Sequence, residues 1–434
     1  MSMELVIPDA WSLLHDYWHE LYDLKQVAVS DVVKDISLIS YVGAELMREP
    51  DRFYLQTSRK KEDLRVHYSW MTDSRAGKGE NQNFVNQIAI ELDTKIIIKN
   101  PTSISSAIQI GGTGSDKEAV PGLYSYANIV FHDEFGNLFS SAEWQTDIFG
   151  NIRKNCDTYG TASNWLENSK ICNHKQGGFH GISTIILTSF PILGKVKAII
   201  NSGTFQRFFP IVEIVDETKS NEIFDALKQK SNDINRITAC YIGIRDILKR
   251  IKQEGKPISL GDEAYNKIVE DYKLEVAKHY KLNETEARTI RSYKVGQLLF
   301  VQKIAAIIGI VRCKSVVESP ELEIARAIVD NNFNNLLLNT DFFGLDNGEI
   351  KTWVQDVRTA LRDISLPVQK TEINNLMMKY WAKGETTTIT RLNQVMPFLF
   401  RRISLGNKDI ICWKNQESLV LKEIKNSQAQ NKTG

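Results

Sequence analysis

Val66-His-Tyr-Ser-Trp-Met71 runs directly into Thr72-Asp-Ser-Arg-Ala-Gly-Lys-Gly79, and then into Asn81-Gln-Asn-Phe-Val-Asn-Gln-Ile-Ala-Ile90. The first piece is a short, mostly apolar run bounded by polar residues, which reads as a strand; the last has apolar residues at helical spacing. A strand, a Gly-Lys loop and a helix in that order place backbone N–H groups and a helix N-terminus against an anion. Further along, Ala127-Asn-Ile-Val-Phe-His-Asp-Glu-Phe135 is a buried-type strand that closes on paired carboxylates. Acids at a strand end downstream of such a loop suit the holding of magnesium and the activation of water. Together the two stretches make a nucleotide hydrolase the leading expectation.

Three further apolar runs extend the core. They are Thr94–Lys99, Ser183–Ser189 and Phe208–Val215, spaced by helix-length segments. Nearly unbroken apolar strands of this kind indicate a parallel sheet covered on both faces, and so an α/β fold. Residues 151–181, rich in Asn, Gly, Lys and His, interrupt the rhythm and read as an inserted hairpin or loop. On either side the chain turns helical. Residues 1–60 are expected to form a helical collar, 61–216 the core, 217–345 a helical lid broken at Gly255–Gly261, and 346–434 a linker and terminal module. The order helix, helix, short strands in 371–425 fits a winged helix, or equally a two-helix cap with a terminal hairpin.

The 434 residues are enough for two or three domains, and 42% hydrophobic with 25% charged residues is ordinary for a globular chain. A net charge of +1 excludes a global polycation, so a nucleic-acid site has to come from local clustering. Five scattered cysteines, no basic-then-apolar leader and no membrane-length apolar run give the expectation of a cytoplasmic, non-membrane protein.

The loop departs from the full phosphate-binding pattern, which has Gly at position 72 and Ser or Thr at 79. Ser74, Arg75, Ala76 and Gly77 supply its backbone, and Lys78 sits where an ammonium reaches terminal phosphates. Gly79 permits close approach but removes a hydroxyl ligand of magnesium, leaving water, Glu80 or the amide of Asn81 to fill that place. The competing reading is a structural turn. Asp133 is the expected magnesium ligand and Glu134 the residue that polarises water. Thr188 and Ser189, at the end of a strand, are placed to orient water or sense the γ-phosphate. Arg207 has two uses open to it, at its own nucleotide or across a subunit boundary.

Asp73-Ser-Arg-Ala-Gly-Lys-Gly79, Val130-Phe-His-Asp-Glu-Phe135, Ile185-Ile-Leu-Thr-Ser-Phe-Pro191 and Phe205-Gln-Arg-Phe-Phe209 occur in the order found in ring-forming replicative helicases. Over about residues 62–335 the chain resembles the AAA+ P-loop motor module of minichromosome-maintenance helicases, and the helicase-like ATPases of viruses, plasmids and mobile elements. The resemblance implies ATP and Mg2+ as cofactors, a homo-oligomer, expected to be a hexamer, and single-stranded DNA in a central pore. It implies phosphate binding by Lys78, magnesium and water handling by Asp133 and Glu134, sensing by Thr188 or Ser189, and Arg207 acting between subunits. Arg288 and Arg291 are the candidates for a second sensor in the lid.

Arg153, Lys154, Lys170 and Lys175 are the local basic residues that would meet a phosphate backbone, with Lys195 and Lys197 secondary. Residues 391–434 add eight basic residues against three acids. Cys172, His174 and His180, with Cys156, lack the paired spacing of a zinc site. Two other classes compete with a helicase: a nucleotide-dependent DNA-binding switch with little hydrolysis, and a winged-helix regulator without ATPase activity.

Overall fold

The computed structural model describes residues 9–72, 76–100, 122–133, 150, 152–162, 165–166, 179–189, 207–213, 217–226, 233–278, 284–338, 353, 356–361, 368–405 and 408–413. The chain is a mixed α/β protein of two compact units, residues 1–333 and 334–434. The segments expected as collar and core, and the lid as far as residue 333, fall in the first unit.

Its centre is a five-stranded, all-parallel sheet of β3 (Tyr68–Thr72), β4 (Ile98–Lys99), β5 (Ile129–His132), β8 (Thr184–Ser189) and β9 (Phe209–Glu213). The strand order is β4-β5-β8-β3-β9. β3 and β5 are buried along their whole length, as the unbroken apolar runs require. From β3 the chain travels past β8 and β5 to β4; from β8 it travels past β3 to β9. The outgoing connections of neighbouring β3 and β8 therefore leave in opposite directions, which opens a crevice at their carboxyl ends.

Helices α1 (Ala10–Leu24) and α2 (Asp31–Leu46) precede the sheet. α2 packs deep into the core. Thirteen of its residues are buried, and a Cβ on Gly43 would lie 2.5 Å from the Leu64 carbonyl oxygen. Helix α3 (Lys78–Glu91) packs Phe84 against Tyr22 and Trp18 of α1, with ring centroids 3.8 and 5.7 Å apart. After the sheet come α4 (Glu217–Ala226), α5 (Ile234–Glu254), α6 (Asp262–Lys278), α7 (Glu284–Val311) and α8 (Ser319–Leu338). The end of α7, Ile304–Ile308 with Ile310 and Val311, is buried on all sides and belongs to the same core as the sheet. No helix among the described residues is long and apolar enough to cross a membrane.

A second sheet lies outside the sequence-based expectations. β1 (Leu55–Gln56), β2 (Lys61–Glu62), β10 (Ile258–Leu260) and β11 (Val316–Val317) join in the order β11-β10-β1-β2, so that the expected lid break at Gly255–Gly261 is a strand. In the insertion, β6 (Trp165–Leu166) pairs antiparallel with β7 (Phe179–His180), the hairpin alternative for that region.

The second unit holds β12 (Val368–Gln369), α9 (Lys370–Trp381), α10 (Glu385–Leu399), β13 (Phe400–Leu405) and β14 (Lys408–Trp413). Its antiparallel sheet has the order β12-β14-β13. Its own small core includes Leu361, Ile373, Met377, Leu392, Val395 and Ile411.

Candidate functional site

The crevice at the carboxyl ends of β3 and β8 is bordered by the Gly-Lys loop. Gly77 takes φ +90°, a left-handed conformation that admits glycine at little cost. A Cβ there would also sit 3.2 Å from Val29 Cγ1 and 3.3 Å from the Ala28 carbonyl oxygen, so the turn between α1 and α2 backs the loop directly. α3 begins at Lys78, with Gly77 at its cap position and no capping side chain among the described residues. A helix N-terminus of this kind carries partial positive charge. Lys78 Nζ donates to the Thr72 carbonyl oxygen at 3.3 Å, folding back over the loop toward the end of β3. The Thr72 hydroxyl is buried with no partner among the described residues. Ser74 and Arg75 lie outside those residues.

Gly79 and Asn81 differ in a way the sequence does not reveal. A Cβ on Gly79 would meet nothing within 4 Å, so the missing hydroxyl is not a packing requirement. Asn81 is buried, and its side chain accepts from Tyr22 Oη at 2.5 Å and donates to Tyr68 Oη at 3.2 Å and Ser37 Oγ at 3.4 Å. Its backbone N–H donates to the Gly77 carbonyl. Both amides of Asn81 are thus committed to the fold, which removes it as the stand-in magnesium ligand. Burial pushes the Tyr22 hydroxyl well up and the Tyr68 hydroxyl up to about 12, so both stay neutral. Glu80, in the first turn of α3, is exposed.

Asp133 follows β5 at the same sheet edge and accepts from Thr188 Oγ1 at 3.0 Å. Thr188 is in register with Trp70 of β3, one residue before the end of β8, where Ser189 closes the strand. β3 and β5 flank β8, so the lysine loop and the acid are separated by two strand spacings, about 10 Å. His132, before Asp133, is buried against Tyr124 with Nε2 2.5 Å from the phenol oxygen, and burial depresses its pKa to about 3. It is a core side chain. Glu134 lies outside the described residues.

Arg207 lies elsewhere. It precedes β9, whose first residue pairs with Tyr68 at the start of β3, so it stands at the amino edge of the sheet. β9 has five residues and spans roughly 16 Å. A guanidinium at that edge does not reach the Lys78 loop of its own chain, which removes the use of Arg207 in cis. Its Nε donates to Asp157 Oδ1 at 2.8 Å. The Asp157 carbonyl accepts from buried Arg65, which also pairs with Asp63 and donates to the Ser183 carbonyl. Lys303 Nζ approaches Asp63 at 3.4 Å. This charged network at the amino edge went unread because its members are scattered over most of the chain.

Arg153 and Lys154 occupy a helical turn, half-buried and exposed respectively, whose Asn155 donates to the Ser183 carbonyl at 2.8 Å. Lys170, Lys175, Lys195 and Lys197 lie outside the described residues, as do the side chains of Arg288 and Arg291 in α7. Cys156 is buried, with its thiol pushed up to about 12, and His180 Nδ1 donates to the Thr161 carbonyl. Neither is prepared to bind zinc. Elsewhere, His15 and His19, one turn apart on α1, converge with Asp35 of α2, with one donor atom from each within 4.8 Å of the others. The His-x-x-x-His spacing is visible in the sequence, whereas the aspartate arrives from another helix.

The chain matches no protein-family model and no curated protein.

Proposed function

We propose that the chain is an ATP-dependent, ring-forming DNA helicase or translocase of the AAA+ type, hydrolysing ATP at subunit interfaces. The observation that carries this reading is the Thr188–Asp133 hydrogen bond at the carboxyl edge of β8 and β5, with the Lys78 loop leaving the same edge of adjacent β3. A polar-ended strand lying between the phosphate-loop strand and the acid-bearing strand is also the AAA+ arrangement, which supports that class among α/β folds. In this reading the amides opening α3 and the Lys78 ammonium hold the phosphates. Thr188 aims Asp133 through its hydroxyl, and Glu134 orients the attacking water. Asp133 would hold Mg2+, which when bound would neutralise charge on the phosphates. The Asp133 carboxylate and the Thr188 hydroxyl beside it are oxygen donors of the kind that ion takes.

Arg207 belongs in this reading to the neighbouring subunit's site, since its own lies out of reach. The second unit supports DNA contact: a strand, two helices and a hairpin with sheet order β12-β14-β13 follow the winged-helix plan. Thr386, Thr390 and Asn393 form an exposed polar row on α10, suited to a groove. Lys170 and Lys175, in the segment joining β6 to β7, are the pore-side candidates.

Gly79 favours the switch-like reading as the runner-up, because it offers no hydroxyl to magnesium. Steady-state hydrolysis with and without single-stranded DNA separates the two. A motor hydrolyses ATP and is stimulated by DNA; a switch binds nucleotide with little turnover. Lys78→Ala should weaken nucleotide binding, and Glu134→Gln should spare binding while depressing turnover. Absence of any nucleotide binding by the parent protein would overturn both.

A further inference from the structure

We propose that His15, His19 and Asp35 form a binding site for a divalent transition-metal ion of the zinc type, separate from any nucleotide-associated Mg2+. α1 sets the two histidines at i and i+4, on one face, with their rings stacked at a centroid distance of 4.1 Å. α2 brings Asp35 opposite them. Its Oδ1 lies 3.0 Å from His15 Nε2 and 2.7 Å from His19 Nε2. One donor atom from each residue falls within 4.8 Å of the others. With metal–ligand bonds of about 2.0–2.2 Å, tetrahedral donors sit about 3.3 Å apart, so small side-chain rotations open the space an ion needs.

The surroundings favour a cation. Each ring turns its other nitrogen toward a carboxylate: His15 Nδ1 is 3.6 Å from Asp16, and His19 Nδ1 is 3.9 Å from Asp31. Without metal both Nε2 atoms are placed to donate to Asp35; an ion would displace those protons, and the carboxylates behind the rings would then favour N–H at Nδ1. Five carboxylates, at 16, 20, 23, 31 and 35, stand against two cations, Lys34 and Arg236. Both cations are already paired, Lys34 with Asp23 and Asp31 and Arg236 with Glu20. The donors are accessible without being loose, since the side chains of His15, His19 and Asp35 are 34%, 18% and 18% exposed. Two imidazoles and one carboxylate in an open cleft give three protein ligands and leave the fourth position to water. The ion would clip α1 to α2 close to the turn that backs Gly77. Zn2+ suits this N2O set best, with Ni2+ and Fe2+ the nearest competitors.

The test uses the full-length protein, stripped by chelator and titrated with Zn2+ in the absence of nucleotide, with bound metal measured after dialysis. The expected result is a single retained equivalent and a raised melting temperature. The pair His15→Ala/His19→Ala should lose the equivalent, and Asp35→Asn should weaken it by at least about tenfold. Co2+ substitution should give a visible spectrum without thiolate charge transfer, which separates this site from the cysteines. Should the double variant fail to fold, Asp35→Asn and His19→Gln carry the decision by the same measurement. No retained equivalent, retention unchanged in the variants, or a thiolate-type Co2+ spectrum would each overturn the proposal.

Discussion

At the scale of single residues, Gly79 is the point where sequence and packing can be set against each other. The space around it is open, so Gly79→Ser introduces a hydroxyl in the first turn of α3 without a clash. On the reading of that turn as the magnesium border, the variant should need less Mg2+ for half-saturation. Turnover should rise about tenfold, equivalent to about 1.4 kcal/mol of barrier. An unchanged Mg2+ requirement would remove position 79 from the metal's surroundings.

His67 offers a second test at this scale. Its Nδ1 accepts the Ile185 N–H at 2.9 Å and its Nε2 is buried with no partner among the described residues. Burial, then the Arg65 and Lys303 charges, hold its pKa well below the ordinary 6.5, with Asp63 opposing them. The folded state therefore stays unprotonated where the unfolded chain binds a proton. Stability from this group is present above about pH 6.5 and is lost as pH falls below it, at up to about 1.4 kcal/mol per pH unit. His67→Asn keeps an acceptor for Ile185 and should show a smaller loss between pH 7 and pH 5 in urea denaturation. Equal losses in parent and variant would mean that His67 is not the group responsible.

Elements explain why some of this was readable and some was not. The central strands announce themselves because burial on both faces leaves long apolar runs such as Ile129–His132 and Thr184–Ser189. Strands of two or three residues, like Leu55–Gln56 and Ile258–Leu260, carry no period, and only their parallel pairing across the chain defines them. Arg207 was legible in part. Its place just before a strand is in the sequence, but its distance from the Lys78 loop depends on all five strands being parallel. The polar centre of the α1, α2 and α3 packing was not legible, since Tyr22, Ser37, Tyr68 and Asn81 come from four elements. Asn81→Ala leaves those hydroxyls without their shared partner inside the core. It should cost about 2–4 kcal/mol in denaturant midpoint analysis, against about 1 kcal/mol for Tyr22→Phe. A loss under about 0.5 kcal/mol for Asn81→Ala would show that water replaces the network.

For the whole molecule, the decisive property is the opposition of the two sheet edges. The Lys78 loop opens at one and Arg207 stands at the other, so a shared active site requires head-to-tail contact between copies. Arg207→Ala and Lys78→Ala should each be inactive alone. An even mixture recreates an intact loop facing an intact arginine at about a quarter of its interfaces and should recover hydrolysis in proportion. No recovery, with exchange of subunits confirmed, would leave Arg207 a structural residue of the amino edge.

The ion pair between Arg207 and Asp157 then acquires a meaning for how copies recognise each other. Both side chains are 36% exposed, so the pair is weak, about 0.5–1 kcal/mol. On the ring-forming reading proposed above, an arginine so held would have to release its own aspartate before reaching a neighbour, so association would be an exchange of partners and the lone subunit would carry a competitor of its own assembly. Asp157→Asn, which keeps the shape and discards the charge, should lower the protein concentration for half-maximal hydrolysis about two- to fivefold. An unaltered or higher concentration requirement would mean that Asp157 exerts no such restraint. On this view dilute subunits stay silent because the group they would offer a neighbour is already occupied at home.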